Sequence, residues 1–348
     1  MRKLATALFC ATLGLTVAGI TGCANTPEGA ARQPSSDKKI TVYSGRTEAL
    51  IKPLLEQFTK ATGVTVEVRY GDTAAMAAQI LEEGERSPAD LFLAQDAGAL
   101  GEVTKKGLFA KLPADVQALV PATYKARGGE WVGVTGRSRV LVHNTDQVSA
   151  AQLPKSVFEV TGPAWKDKIG IAPTNGSFQA FVTAIRVQHG DAKAREFLNG
   201  LKANGAQIRP NNGAVVADVE SGKLAAGLVN HYYLYEKART DGKSVDQLKA
   251  KNFFFPDGDT GALVNVSGLG VLKKAAADPD VRTFIDYLLG TDGQKYFAEK
   301  TFEYPMVEGV ATAPGLPALA SLKAPAIDLN DLDTLKETVA MIKEAGLA

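Results

Sequence analysis

The sequence predicts an α/β protein of two lobes joined by crossing strands, with a cleft between them. Three observations predict it. From Ile40 onward, short β-rich runs alternate with amphipathic helical runs. The same order returns after Lys168, where each strand feeds a polar turn and then a helix. Two longer stretches, "GRSRVLVHNTD" and "GALVNVSGLGVL", read as strands passing between the lobes. Repeated strand–helix order implies a largely parallel sheet. At 348 residues and 45% hydrophobic, the chain has enough apolar material for two such lobes.

The first lobe opens with the strand "ITVYS", which ends at Gly45. In "TEALIKPLLEQFTKATG", Leu50, Leu54, Leu55 and Phe58 recur at helical spacing, with Thr47 as N-cap and Gly63 as stop. "VTVEVRYG" alternates as a strand, "TAAMAAQILEEGE" reads as a helix, and "ADLFLAQ" reads as a buried strand. The middle of the chain repeats this grammar three times. "KIGIAP" leads through "TNGS" to "FQAFVTAIRVQHG", "AQIRP" through "NNG" to "AVVADVESG", and "AAGLV" through "NH" to "YYLYEKART". Ligands of open α/β sheets bind beyond the carboxyl ends of strands, where such turns gather. His189, just before a glycine, reads as the C-terminal cap of its helix.

The N-terminus reads as an export signal. Arg2 and Lys3 precede the apolar run Leu4 to Ile20, which is short for a membrane-spanning helix. The run ends in "ITGC", which resembles a bacterial lipobox, so Cys23 is expected to carry lipid as the first mature residue. Residues 1–22 are then the signal peptide. Residues 23–39, rich in Ala, Pro, Ser and charge without apolar periodicity, form a flexible tether. Cys10 would leave with the signal and Cys23 would be acylated, so the body keeps no thiol for a disulfide, a Cys-type zinc site or a nucleophile.

Charge excludes other classes. Without the first 22 residues the chain has one more acid than bases, and no Lys/Arg block marks nucleic acid or a polybasic membrane patch. No G-x-G-x-x-G follows a strand, and P-loop, H-E-x-x-H and G-x-S-x-G motifs are absent. Nothing argues for catalysis.

The stretch "VNHYYLYEK" holds three of the nine tyrosines and one of the three histidines. In the first turn of a helix, Tyr232 and Tyr233 would splay far less than on a strand, and both phenols would address one point. Asn230 or His231 is placed to cap that helix, and the positive end of its dipole favours phenolates. Adjacent phenolates are hard anionic donors suited to Fe(III), whose charge would keep them deprotonated. The alternative is an aromatic cluster packing a lobe edge, and Tyr235 is assigned to it. "PTNGSF" puts Asn175, Gly176 and Ser177 at a helix N-terminus, where unpaired backbone N–H groups bind anions. Arg46 in "YSGR" offers either a forked contact to an oxyanion or a surface salt bridge. Asp96 faces the cleft on this reading but is not counted as a ligand.

From about Ile40 to the C-terminus the chain resembles the periplasmic ferric-ion-binding proteins, the solute receptors of bacterial iron(III) ABC importers. The ordered set "ITVYSGR", "GDT", "EEGERSPADLF", "GRSRVLV", "WKDKIGIAPTNGSFQAF", "VESGKLAAGLVNHYYLYE", "GDTGALVNVSGLGVLK" and "EYPM" carries the resemblance. It implies a two-lobed periplasmic-binding-protein fold, transferrin-lobe-like, with hinge strands and an interlobe cleft. Lobe 1 is expected over 40–137 plus 263–313, and lobe 2 over 138–262 plus 314–348. The resemblance makes Tyr232 and Tyr233 the iron-binding pair. It puts His143 where some members carry a further tyrosine, and Asn212 where the family contacts its anion. Thr47 and Gln95 stand where one branch has a histidine and a glutamate, so this chain departs from that branch. Carbonate or phosphate would fill the places left.

The expected function is therefore that of an extracytoplasmic, lipid-anchored receptor, periplasmic or on the cell surface. It would capture Fe(III) with carbonate or phosphate and deliver it to an ABC permease and its ATPase. It is expected to act as a monomer, without catalysis and without nucleic acid. A metal-free receptor for a small organic or phosphorus-containing anion is the alternative that Thr47 and Gln95 support. An exported metalloenzyme is the alternative of a different class, against which the lack of a general base near the site argues.

Overall fold

The structure, a computed structural model, describes residues 36–348. The expected signal segment, Cys23 and most of the expected tether lie outside the described residues. The last tether residues are fastened rather than free. Ser36 Oγ and the Lys38 N–H donate to the Asp280 carboxylate at 2.7 and 2.8 Å, so the chain is held before the first strand begins.

The first half contains β1 (Lys39–Ser44), α1 (Glu48–Thr62), β2 (Thr65–Tyr70), α2 (Thr73–Glu83), β3 (Leu91–Ala94), α3 (Ala97–Lys105) and the short α4 (Ala114–Ala118). α1 forms because Leu50, Leu54, Leu55 and Phe58 bury one apolar stripe. Gly63 ends it at a φ of 75°, a conformation that costs glycine little. Thr47 occupies the N-cap position, but its side chain makes no capping bond.

The chain then runs through the fully buried β4 (Trp131–Asn144) into β5 (Ile169–Ile171), α5 (Gly176–Ala203), β6 (Gln207–Ile208), α6 (Asn212–Glu220), β7 (Ala226–Asn230), α7 (Tyr232–Thr240) and β8 (Ala250–Phe253). It returns along β9 (Val264–Val271) to α8 (Pro279–Leu289), α9 (Thr291–Tyr296), β10 (Tyr304–Pro305) and α10 (Leu335–Glu344). α5 is two helices in one, because Gly190 breaks it with φ 83° and ψ 162°. His189, as expected, is the last residue of the first of them, directly before the glycine. Its Nε2 lies 2.9 Å from Thr260 Oγ1.

The strand order is β2-β1-β3-β9-β4-β7-β5-β6, with β8 and β10 also pairing β4. The expected parallel sheet is confined to the wings, where β1 pairs with β2 and β3, and β5 with β6 and β7. Its centre is antiparallel. The cause is topological. The chain leaves the first lobe along β4 and comes back along β9, so the two crossing strands must run in opposite directions.

β4 changes partner between two adjacent residues. Ser138 pairs with Val264 of β9, and Arg139 pairs with Asn230 of β7. That change sets the carboxyl end of β7, and the start of α7, beside the middle of β4. The C-terminal segment touches both sides. The Thr183 and Thr338 hydroxyls, 2.7 Å apart, join α5 to α10, while Lys105 of α3 pairs with Asp333 at 2.8 Å. Among the described residues no helix is long and apolar enough to cross a membrane.

Candidate functional site

α7 begins at Tyr232, directly after β7, so the two phenols leave the first helical turn together. Their rings stack with centroids 4.2 Å apart and 29° between planes. Tyr232 is fully buried, and its hydroxyl has no hydrogen-bond partner. A buried, unsatisfied hydroxyl costs stability, so a native fold that keeps one calls for an explanation. Burial, reinforced by Tyr233, raises the Tyr232 phenol well above its ordinary value, against the pull of Arg46 and Arg137. Burial likewise raises Tyr233, although Tyr232 and Asn212 beside it act the other way. The expected dipole effect on the phenols is thus outweighed by desolvation.

His231 stands at the N-cap position without capping. Its Nδ1 accepts the Ser138 N–H at 3.2 Å, and its Nε2 donates to the Phe302 carbonyl at 2.8 Å. Both ring nitrogens are therefore engaged by backbone, and burial pushes its pKa down to about 4. It pins the start of α7 to the crossing strand and to the segment before β10. Asn230 does not cap either; its Oδ1 accepts from Arg139 at 3.3 Å. Tyr235 packs as expected, stacked on Phe302 and donating to the Gly315 carbonyl at 3.0 Å.

Around the pair lies a buried cluster of charge. Arg46 makes a two-point pair with Glu303, Nη1 to Oε1 at 2.9 Å and Nη2 to Oε2 at 2.6 Å. Thr135 and Thr301 hydroxyls also donate to Glu303, which complete its shell and hold it ionised. Despite burial, Arg46 and Arg137 keep its pKa below the usual carboxylate value. Arg137 and Arg139 share one face of β4 by strand alternation. Arg137 Nε is 3.9 Å from Glu303 Oε1, and its Nε and Nη1 have no hydrogen-bond partner. Arg139 donates to Ser177 Oγ at 3.2 Å and to the Leu228 carbonyl at 2.8 Å; burial pushes it down to about 9, still cationic at neutral pH. Glu236, one turn on from Tyr232, is pushed up to about 7 by burial and then by Glu303, and its Oε1 has no partner.

The anion turn assembles from two helices. Asn175 is the N-cap of α5, and its Oδ1 accepts from Ser177 N at 3.0 Å and from Ser177 Oγ at 2.6 Å. Asn212, first residue of α6, donates its amide to Ser177 Oγ at 3.1 Å. The first lobe reaches this turn: a Cβ on Gly176 would lie 3.2 Å from both Asp96 Oδ2 and Gln95 Oε1. The lobes are thus closed upon each other at Gly176. Asp96 caps α3 through Oδ1, to the Ala99 N–H at 3.0 Å, and burial raises its pKa to about 6.

Two sequence expectations need correction. His143 pairs with Ala226, at the amino end of β7, whereas the tyrosines follow its carboxyl end. Four residues of strand separate it from Arg139, roughly 13 Å, so it is not brought to the pair. Arg46 is neither at the surface nor free to fork an anion, because Glu303 occupies both its terminal nitrogens. Arg137 and Glu303 are the charged residues that sequence reading missed. Alternation along "GRSRV" would have found the first, but nothing local signals the second. Among the described residues no group of three or more His, Cys, Asp or Glu is arranged to hold a metal ion. The donors gathered at this cleft are phenol oxygens.

A two-lobed fold closing over a buried, cationic, tyrosine-lined cleft defines a ligand-capturing binding protein. The comparisons agree. Residues 86–333 match the family described as bacterial extracellular solute-binding protein, and the chain belongs to that family. It is 34% identical over 318 residues, 91% of this chain and 93% of the relative, to the Fe(3+)-binding periplasmic protein of Serratia marcescens. Iron-bound HitA from Pseudomonas aeruginosa matches with a TM-score of 0.83 at 34% identity, covering 89% of this chain and 99% of HitA. A Trichodesmium protein (IdiA, FutA) in complex with iron and citrate matches with a TM-score of 0.74 at 28% identity, covering 89% of this chain and 100% of that one. The Serratia relative is named for binding Fe(3+), and the other two structures hold iron.

Proposed function

We propose that this protein captures Fe(III) through Tyr232 and Tyr233 as phenolates, together with an anion held at the amino ends of α5 and α6. The observation that carries this reading is the Tyr232 hydroxyl, buried and unpartnered beside a second phenol and near three buried guanidinium groups. The Tyr304 hydroxyl is also buried without a partner, so what sets Tyr232 apart is its place against a second phenol and beside buried guanidinium groups. In the metal-free protein both phenols are neutral. The incoming cation supplies the charge that removes their protons, and the cluster of guanidinium groups stabilises the phenolates once formed. Carbonate or phosphate would sit at Asn175, Gly176, Ser177 and Asn212, where helix N-termini and amides face the cleft. Citrate, bound with iron in the Trichodesmium relative, is a third anion to be tried.

Capture would proceed by closure of the lobe built on residues 40–137 and 263–313 onto the lobe built on 138–262 and 314–348. The hinge would lie where β4 changes partner at Ser138 and Arg139. Opening, with loss of the anion or protonation of the phenolates, would release iron to an ABC permease and its ATPase. A lipid on Cys23 would hold the monomer at the outer face of the membrane.

The test is a visible absorption titration of the body from Lys38 onward with Fe(III) plus bicarbonate, phosphate or citrate. The native protein should give a tyrosinate-to-iron charge-transfer band saturating at about one iron per chain, by the coordination logic above. The double variant Tyr232→Phe/Tyr233→Phe should give none. Absence of a band with every anion would leave the cleft as that of a metal-free anion receptor.

A further inference from the structure

Two buried acceptors at the anion turn lack donors. Asp96 Oδ2 has no hydrogen-bond partner although Asp96 is fully buried, and Asn212 Oδ1 is in the same condition. Asp96 belongs to the first lobe and meets the second at the amino end of α5, where its Oδ2 lies 3.2 Å from the place a Gly176 Cβ would take. It makes no hydrogen bond to the Gly176 or Ser177 N–H, so it does not itself fill the helix end; its only capping contact is through Oδ1 to Ala99. The Ser177 N–H and O–H already serve Asn175 Oδ1, the Phe178 N–H serves the Asn175 carbonyl and the Asn212 amide serves Ser177 Oγ. The turn therefore presents a ligand with the Gly176 N–H and with two acceptors that lack a donor.

We infer that Asp96 makes the site selective for an oxyanion that still carries a proton, such as hydrogen phosphate, hydrogen arsenate or hydrogencarbonate. The inference rests on the ferric reading above. A protonated oxyanion would accept from the Gly176 N–H with a bare oxygen and donate its O–H to Asp96, a charge-assisted bond between buried groups. A fully deprotonated oxyanion such as sulfate would set lone pairs against the carboxylate, with two like charges and a buried acceptor left unsatisfied. Such rejection of an isostere that lacks one hydrogen is stronger than apolar pockets achieve.

The experiment compares the native protein with Asp96→Asn and Asp96→Ser near neutral pH. Each is titrated with freshly diluted ferric chloride in chloride buffer containing phosphate, arsenate or sulfate, and the charge-transfer band is read. Asn and Ser both cap helices, so α3 should persist in either variant. Phosphate and arsenate should support the band of the native protein at concentrations at least about tenfold below sulfate, the cost of one unsatisfied buried acceptor. In both variants the gap should close to within about threefold, since neither side chain carries the opposing charge and each has a hydrogen to donate. Sulfate acting as well as phosphate on the native protein would overturn the inference and leave the ferric reading standing. So would a phosphate preference unchanged in both variants. A band absent with all three anions would overturn the ferric reading and this inference with it.

Discussion

Arg46 and Glu303, 257 residues apart in sequence, meet as a fully buried two-point ion pair beside the tyrosines. The pair links the loop after β1 to the residue before β10, so it fastens the floor of the cleft. Glu303 also answers Arg137, which among the described residues has no other acidic contact within salt-bridge reach. Replacing Glu303 by Gln would leave two buried guanidinium groups without a counter-charge. The expected loss is about 3–5 kcal/mol of unfolding free energy, measured by urea denaturation. An Arg46→Met/Glu303→Leu double variant should recover part of it, since an apolar pair of similar volume removes both charges together. A single-variant loss below about 1 kcal/mol, the range of exposed pairs, would show that the cluster is solvated in solution.

Gly176 is where the lobes meet. An added Cβ would stand 3.2 Å from Asp96 Oδ2 and from Gln95 Oε1, closer than such contacts normally run, yet it would clash with nothing inside its own lobe. The metal-free structure already holds this seam closed, so in Gly176→Ala the better helix propensity of alanine is set against the crowding and stability should change by less than about 1 kcal/mol. Closure should suffer instead. We expect apparent iron affinity to fall about tenfold, the low end of overpacking costs, with a larger radius of gyration in the iron-loaded state by small-angle scattering. Equal affinity would mean that the closed seam is not the iron-bound one.

Much of this architecture was legible because its signals are local. Leu50, Leu54 and Phe58 define α1 within one helical run, and "NHYYLYE" declares a strand-to-helix turn with two phenols in its first turn. What was lost depended on register and on long-range pairing. Whether His143 or Arg139 lies level with the tyrosines is set by how β4 is offset against β7, and a strand's own sequence does not encode its offset. Arg46 could be assigned only to an anion fork or a surface ion pair, because the buried carboxylate it meets lies 257 residues away. The parallel sheet was overextended because helical crossovers are visible in sequence, whereas the reversal of β9 against β4 follows from the chain's return path.

His231 gives a pH signature. Buried between Ser138 and Phe302, it has a folded pKa of about 4, whereas unfolded histidine titrates near 6.5. Between those values the unfolded state binds the extra proton, so acidification favours unfolding. The stability of the native protein relative to His231→Gln should therefore fall by about 2 kcal/mol between about pH 7 and pH 5, and then level off below about pH 4. Comparing the two proteins cancels Asp96 and Glu236, which titrate in both with the opposite sign because their folded values are raised. A pH-independent difference would mean that the histidine is hydrated or already charged in the fold.

The two tyrosines at either end of the YYLY run should respond in opposite ways to the same chemical change. Tyr235 has its hydrogen bond, to the Gly315 carbonyl at 3.0 Å, so Tyr235→Phe removes a satisfied contact from a packing residue. It should cost about 1 kcal/mol of stability and leave the iron band intact. Tyr232 has no partner for its hydroxyl, so the metal-free protein already bears the cost of a dry, unpaired donor. Tyr232→Phe deletes that group and nothing that bonds to it, so the metal-free protein should gain about 1–3 kcal/mol while the iron band is lost or greatly weakened. Urea denaturation of the metal-free variants and ferric titration of each give the four numbers. Loss of stability in Tyr232→Phe would mean that its hydroxyl is hydrogen-bonded in solution, and the buried phenol would then need no metal to explain it.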